Sequence, residues 1–464
     1  MIKLYKWQKI SNFHFIVFLY FAVFTYIVVA QDIKVGLTFF LFSFQILYFL
    51  ITYYKGALFL ASFFNKQKKV TQTSDLKHYP TFDILLANYK EKEKTLQQLV
   101  NNVAKLEYPK EKMTGFLIVQ EDDVTTLNSI KNLTIPDFIR VFVIPPVQPG
   151  EMQSKSRALN YAIKQCNSDI LTIFDSEDEP DIYQLQKVAR QFEQGNASVI
   201  QCNIDIYNSK QNFIARFFSA EFRCFFQFLL KGISVFSSSN SSAYLPLGGT
   251  SFYVKKQMMD KIGEFDMFNP TEDLIFSSSV YKHGGIIEHN DSITYGEAPV
   301  KFKQLINQRT RWVKGFMIST LLLNANIVKT CKEIGVGRWF TFNMWTLGSF
   351  FGLSAPFMFL FSFIWVFSSD EIYKALFPEW LWNFGFGGLL VGGGIISIVI
   401  FAIPAVFNKR YIDVILTPIF MIFSNVILMI SAYKALHQLI TKPNMGWVKT
   451  EHGLAEKDFV LSTT

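Results

Sequence analysis

The sequence predicts an α/β domain with a mostly parallel sheet, placed in the cytoplasm and flanked by transmembrane helices. Three observations predict it. Short β-rich runs alternate with amphipathic helical stretches from Tyr79 to about Gly296, the pattern of strands joined by covering helices. Two largely apolar runs near the N-terminus, 13–30 and 36–54, each have about the ~20 residues a helix needs to cross hydrocarbon. Further apolar runs follow at 340–367, 384–407 and 411–433. The composition agrees: half of the 464 residues are hydrophobic and only 18% are charged, and the 50 phenylalanines crowd toward both ends.

Sidedness comes from the lysines. Lys3, Lys6 and Lys9 precede the first run, while Lys55, Lys66, Lys68 and Lys69 follow the second. Positive-inside counting therefore places the N-terminus and the domain after residue 65 in the cytoplasm of an integral membrane protein. A cleaved signal peptide is the rival for residues 1–30; it lacks a clear small-residue cleavage site, and a second span follows at once. At the other end parity conflicts with charge. Five spans put the tail outside, whereas Lys434, Lys442 and Lys449 argue for inside, so one C-terminal segment is expected to lie in the interface or re-enter. The chain thus divides into two N-terminal helices (1–65), a cytoplasmic domain (66–300), an interfacial segment (301–335), C-terminal helices (336–440) and a tail (441–464).

Within the domain, Thr81–Ala87, Gly115–Val119, Val141–Ile144, Ile170–Phe174 and Ser198–Ile204 read as strands. Lys94–Leu106, Lys155–Gln165 and Tyr183–Gln194 read as helices between them. Residues 213–230 and 302–324 read as amphipathic helices lying against the membrane. The net charge of +8 fits lysines facing an anionic leaflet, and no basic run carries the interleaving of a nucleic-acid site. Cys166, Cys202, Cys224 and Cys331 show no ligand spacing, so reduced thiols are expected in place of a zinc site.

Ligands of such sheets bind beyond the carboxyl ends of the strands. Three ends carry acids or polar groups: Asn88-Tyr89-Lys90-Glu91, Gln120-Glu121-Asp122-Asp123 and Asp175-Ser176-Glu177-Asp178. Converging carboxylates call for a cation, and magnesium or manganese bound to a diphosphate takes one or two carboxylates plus phosphate oxygens. Taken singly, such acids are more often solvated turn residues.

In chain order these blocks resemble the family 2 glycosyltransferases with flanking transmembrane helices, the group of cellulose, chitin and hyaluronan synthases. The resemblance covers roughly residues 80–320. It implies a GT-A-like, nucleotide-binding domain. Tyr89 and Glu91 fall at the first nucleotide-binding strand end, with Ala87 where that motif usually has proline. Asp122 or Asp123 matches the aspartate that contacts the base and ribose, and Lys155 the lysine that meets the diphosphate. Asp175-Ser176-Glu177 resembles the metal-binding Asp-x-Asp with glutamate in second place, Asp178 being the other candidate. Gly248-Gly249-Thr250-Ser251 resembles the acceptor-side loop. Thr271-Glu272-Asp273 is similar to the TED motif, with Asp273 the catalytic base and Glu272 on the acceptor side. Gln308-Arg309-Thr310-Arg311-Trp312 fits QxxRW, with Gln308 and Arg311 on the donor and Trp312 on the acceptor.

That resemblance implies transfer of a sugar from a nucleotide donor, a uridine diphosphate sugar by analogy, with inversion at the anomeric carbon. A growing polysaccharide, extended processively and passed through the membrane, is the first expectation for the acceptor. A membrane lipid is the second. The bland readings stand beside these: Thr271 as a helix cap with acids in the first turn, and the QxxRW segment as a membrane-surface helix.

Overall fold

The computed structural model describes residues 11–30, 33–64, 76–237, 243–354, 356, 378–383, 392–441 and 453. Helices α1 (Ser11–Ala30) and α2 (Ile33–Ser62) contain the first two apolar runs. They pack as a hairpin, with Tyr20 stacked on Phe39 at 5.5 Å between ring centroids.

The domain that follows is built on one eight-stranded sheet. In chain order its strands are β1 (Phe82–Ala87), β2 (Met113–Gln120), β3 (Ile139–Ile144), β4 (Ile170–Phe174), β5 (Glu179–Pro180), β6 (Val199–Ile206), β7 (Phe252–Lys255) and β8 (Ile287–Gly296). Their order across the sheet is β3-β2-β1-β4-β7-β6-β8-β5. The five expected strands all form, and β3-β2-β1-β4 is parallel throughout. Three strands went unread in the sequence. The four-residue β7 enters antiparallel between β4 and β6, while β8 returns parallel to β6. Every residue of β1 and β4 is buried, as in strands covered on both faces.

Alternation along β1 supplies both cores. Phe82, Ile84 and Leu86 join the cluster under α3 (Glu93–Ala104), whereas Leu85 and Ala87 join the opposite one. Helix α4 (Val124–Ile130) starts at Asp123, whose carboxylate accepts from Thr126 N, and α5 (Lys155–Ile163) starts at Ser154, whose hydroxyl accepts from Arg157 N. Helix α6 (Gln184–Gln194) packs on the α3 side through Leu185, Val188 and Phe192.

The amphipathic stretch 213–230 forms as expected. It begins as α7 (Phe213–Phe222), capped by Asn212, winds as a π-helix over Arg223–Leu230 and continues as α8 (Lys231–Ser237). A Cβ on Gly232 would stand 1.9 Å from Leu58 O, so α8 meets the backbone of α2 directly. That approach explains why α2 runs past the expected end at residue 54: Leu58 and Phe59 are buried against the domain.

Next come α9 (Lys256–Ile262), α10 (Glu272–Lys282), α11 (Phe302–Asn324), α12 (Ile327–Ile334) and α13 (Val336–Thr346). Helix α11 has the bounds the sequence predicts. After a short helix at Glu379–Asn383 come α14 (Gly394–Phe407) and α15 (Tyr411–Thr441). Residues 357–377 and 384–391, parts of two expected spans, lie outside the described residues, as does the tail apart from Gly453. Thr38–Ser62 and Tyr411–Thr441 are long and apolar enough to cross a membrane.

Candidate active site

A cavity of about 850 Å³ opens at the carboxyl ends of β1 and β4 and extends past α10 and α11 to α2, α14 and α15. Its upper part is acidic. Glu91, Asp175, Glu177 and Glu297 line it, and Glu91 accepts a hydrogen bond from Ser176 Oγ at 2.9 Å. Burial and the nearby Asp175, Glu91 and Glu297 push the Glu177 carboxyl up to about 8.

Asp178 does different work. It accepts from the backbone N–H of Asp175 at 2.7 Å and from the Thr250 hydroxyl. Those bonds fold the turn that carries Asp175 and Glu177, and all three acids border the cavity. The carboxylate set fits a hard cation, and Lys155 bonds Asp175 within it. Among the described residues no three acid, histidine or thiol side chains stand close enough to hold an ion by themselves. A cation held by Asp175 and Glu177 would then complete its shell with phosphate and water oxygens.

Lys155 links the two halves of the site. Its ammonium bonds the Asp175 carboxylate and donates to Gly249 O at 2.9 Å. Burial disfavours its charge, but Asp175, Glu272 and Asp178 outweigh this and hold its pKa above the ordinary lysine value. Gly249 itself sits at φ +80°, and a Cβ there would stand 3.1 Å from Asp273 Oδ2. Glycine thus lets the Gly248–Ser251 loop approach the carboxylate of Asp273.

Glu272 and Asp273 form the first turn of α10. Burial raises Asp273 to about 6, against the opposing pull of the Leu274 N–H, Lys155 and Arg311. Burial and the neighbouring Asp273 carry Glu272 to about 7. Thr271 occupies the cap position, yet its hydroxyl bonds Asn269 Oδ1 at 3.2 Å and leaves the helix uncapped. The bland capping reading therefore fails at Thr271, because Asn269 and α11 claim its side chain.

Helix α11 brings Gln308, Arg311 and Trp312 to the cavity. Gln308 Oε1 and Arg311 Nε are buried without a hydrogen-bond partner among the described residues. Buried polar atoms are rarely left so, and both residues line the cavity. Trp312 lies 6.0 Å from the rings of Phe218 and of Phe222, with the Arg309 guanidinium 4.7 Å from its centroid. Arg309 in turn pairs with Glu221.

Of the expected site residues, Glu91, Lys155, Asp175, Glu177, Glu272, Asp273, Gln308, Arg311 and Trp312 share the cavity, while Tyr89 and Asp122 are not in its lining. Asp122 is exposed on its turn. Asp123 points inward and accepts from Lys90 N at 2.6 Å, tying the ends of β1 and β2 together. Sequence reasoning missed Gln153, both of whose amide atoms are buried without a hydrogen-bond partner among the described residues. It also missed Glu297, whose only sequence cue is its place just after β8.

A family model described as "Glycosyltransferase like family 2" matches residues 80–315, just over half of the chain. The sequence is 24% identical over 264 residues to a protein of Bacillus subtilis called "Probable glycosyltransferase YdaM". That match covers 56% of this chain and 60% of the relative's length. Among solved structures, a mannosyltransferase of Pyrobaculum calidifontis in complex with GDP-Man and Mn2+ overlays with a TM-score of 0.49 and 14% identity. The overlay covers 84% of this chain and 98% of the other.

Proposed function

Because the chain belongs to glycosyltransferase-like family 2, we propose that it transfers a sugar from a nucleoside diphosphate donor to an acceptor hydroxyl by direct displacement with inversion. The observation that carries this is the placement of Asp273. It is a buried carboxylate raised to about 6, in one cavity with Lys155, Asp175 and Arg311.

In this reading Lys155, Gln308 and Arg311 bind the diphosphate and place the anomeric carbon between it and Asp273. A magnesium or manganese ion held by Asp175 and Glu177 would screen the charge that develops on the leaving diphosphate. Asp273 removes the proton of the acceptor hydroxyl as that oxygen attacks the face opposite the leaving group. Its raised pKa suits a base that works near neutrality. Glu272, one residue away, orients the acceptor, and Trp312 offers part of its ring to it.

The acceptor enters along the part of the cavity whose lining includes Phe225, Trp345, Ile400 and Phe401 together with Thr346, Ser349 and Ser397. Aromatic faces interspersed with hydroxyls suit a glycan, and this supports a growing polysaccharide as acceptor. The apolar share of the same lining favours a lipid acceptor as the second reading. The helices α1, α2, α14 and α15 support a membrane location with the catalytic domain on the cytoplasmic side.

The test is incorporation of radiolabelled sugar from a panel of nucleotide sugars with magnesium or manganese, by the purified protein and by Asp273→Asn. We expect the wild type to make product and the variant to bind donor and make none. Normal turnover by Asp273→Asn would remove Asp273 from its role. The size and solubility of the product separate polysaccharide from lipid.

A further inference from the structure

Helices α7 and α11 meet at one wall of the cavity through a matched set of residues. On α7, Phe218, Glu221 and Phe222 are spaced so that they share a face, and all three line the cavity. On α11, Arg309 and Trp312 have the same helical spacing and line it too. Phe218 and Phe222 stack at 4.4 Å between ring centroids, and Trp312 lies 6.0 Å from each. The Arg309 guanidinium lies over the rings of both Trp312 and Phe218, 4.7 and 5.1 Å from their centroids.

Glu221 holds that guanidinium in place. One of its carboxylate oxygens accepts from Arg309 Nη2, and the other accepts from Ser424 Oγ of α15 at 2.8 Å. Only 19% of the Arg309 side chain and 20% of Glu221 are exposed, so water screens the pair little. Arg309 Nε is buried without a hydrogen-bond partner among the described residues, so the bond to Glu221 weighs the more in fixing the group. A planar fork bound to a carboxylate and laid over a ring fixes the plane of both.

Apolar contact has no direction of its own. A sugar resting on an indole therefore takes its orientation from the plane of that ring. We propose that Glu221 is a positioning residue for the acceptor. Through Arg309 it fixes the Trp312 ring, and the ring in turn sets the line of the acceptor hydroxyl toward the anomeric carbon. Ser424 turns the carboxylate toward Arg309. The inference rests on the proposed place of Trp312 at the acceptor, and it gives Glu221 and Arg309 a role in the transfer.

The test is a double-mutant cycle of Glu221→Gln and Trp312→Ala in the full-length protein, using the nucleotide sugar that the wild type incorporates. Donor affinity is measured, together with the nucleoside diphosphate released per labelled sugar incorporated. We expect Glu221→Gln to lower incorporation roughly tenfold or more, the scale of a small misplacement of a reacting group. Donor affinity should stay at the wild-type value. More nucleoside diphosphate should be released per sugar incorporated, because water then takes sugar that the acceptor misses. In the Trp312→Ala background the same substitution should change nothing further. Arg309→Lys keeps the charge but loses the planar fork, and its effect should follow that of Glu221→Gln. Ser424→Ala leaves the ion pair in place, and it is read in the same way, at smaller scale, should Glu221→Gln fold poorly. Additive losses in the double variant, or an equal fall in donor affinity and incorporation, would show a mere brace between helices and overturn the proposal. Normal incorporation by Trp312→Ala would remove Trp312 from the acceptor and the proposal with it. Sugar transfer itself is judged by Asp273→Asn, so the two failures are distinct.

Discussion

At the residue scale, Asp273 sets the expected pH response. A general base acts as the carboxylate, and burial raises its pKa to about 6. Protonation on the acid side therefore removes the base. The limiting slope of kcat/KM should approach a fall of about tenfold per pH unit below about pH 6, with a plateau above. A rate that stays level down to pH 5, with the fold intact by circular dichroism, would show that Asp273 does not act as the base. The motif residues were legible because their short patterns recur in order: the acid turn at Asp175, then Thr271 to Asp273, then Gln308 to Trp312. Gln153 was not legible. It stands in no pattern, and only the folded loop before α5 buries its amide in the cavity. Asp122 and Asp123 were equivalent in the sequence. The turn that points one to solvent and the other to Lys90 N exists only when β1 and β2 pair.

At the element scale, the joint between α10 and α11 ties the turn of Asp273, the proposed base, to the QxxRW helix. Gly315 lets α11 close onto Thr271, where an added Cβ would stand 2.4 Å from Oγ1 and 2.5 Å from Cγ2. Gly315→Ala must push the helix away from the TED turn. We expect roughly 1–3 kcal/mol of destabilisation, the usual cost of overpacking, and a drop in transfer larger than any drop in donor binding. Thermal unfolding together with single-turnover transfer checks this, and unchanged values for both would show that the joint is loose. The bounds of α11 could be read because polar and apolar residues alternate at helical period over 302–324. By contrast β7 could not be read. Its four residues are too few to show alternation, and it is a strand because β4 and β6 flank it.

At the scale of the whole molecule, the C-terminal helix α15 is joined to the α7 segment by buried charge. Asp413 and Arg223 each have only 1% of the side chain exposed, and Arg216 completes the triad. Removing the acid leaves two guanidinium groups with no carboxylate on α15. Asp413→Asn is therefore expected to cost roughly 3–5 kcal/mol, as when one partner of a buried pair is lost, and to lower the melting temperature in detergent. A melting temperature within error of the wild type would show that α15 is held by apolar packing alone. The sequence by itself determined the α/β class, the positions of five strands, the apolar helices and the residues of the two specific motifs. These depend on local period and residue type, which a linear pattern carries. Only the tertiary structure decided that Asp178 bonds the Asp175 N–H and the Thr250 hydroxyl, that Thr271 serves α11 instead of capping α10, and that α15 packs along α7 and α11. Each of those outcomes depends on a partner far away in sequence: Thr250 for Asp178, Gly315 for Thr271, and Arg216, Glu221 and Asn307 for α15. No local pattern encodes which of two adjacent acids, or which face of an apolar helix, such a partner will claim.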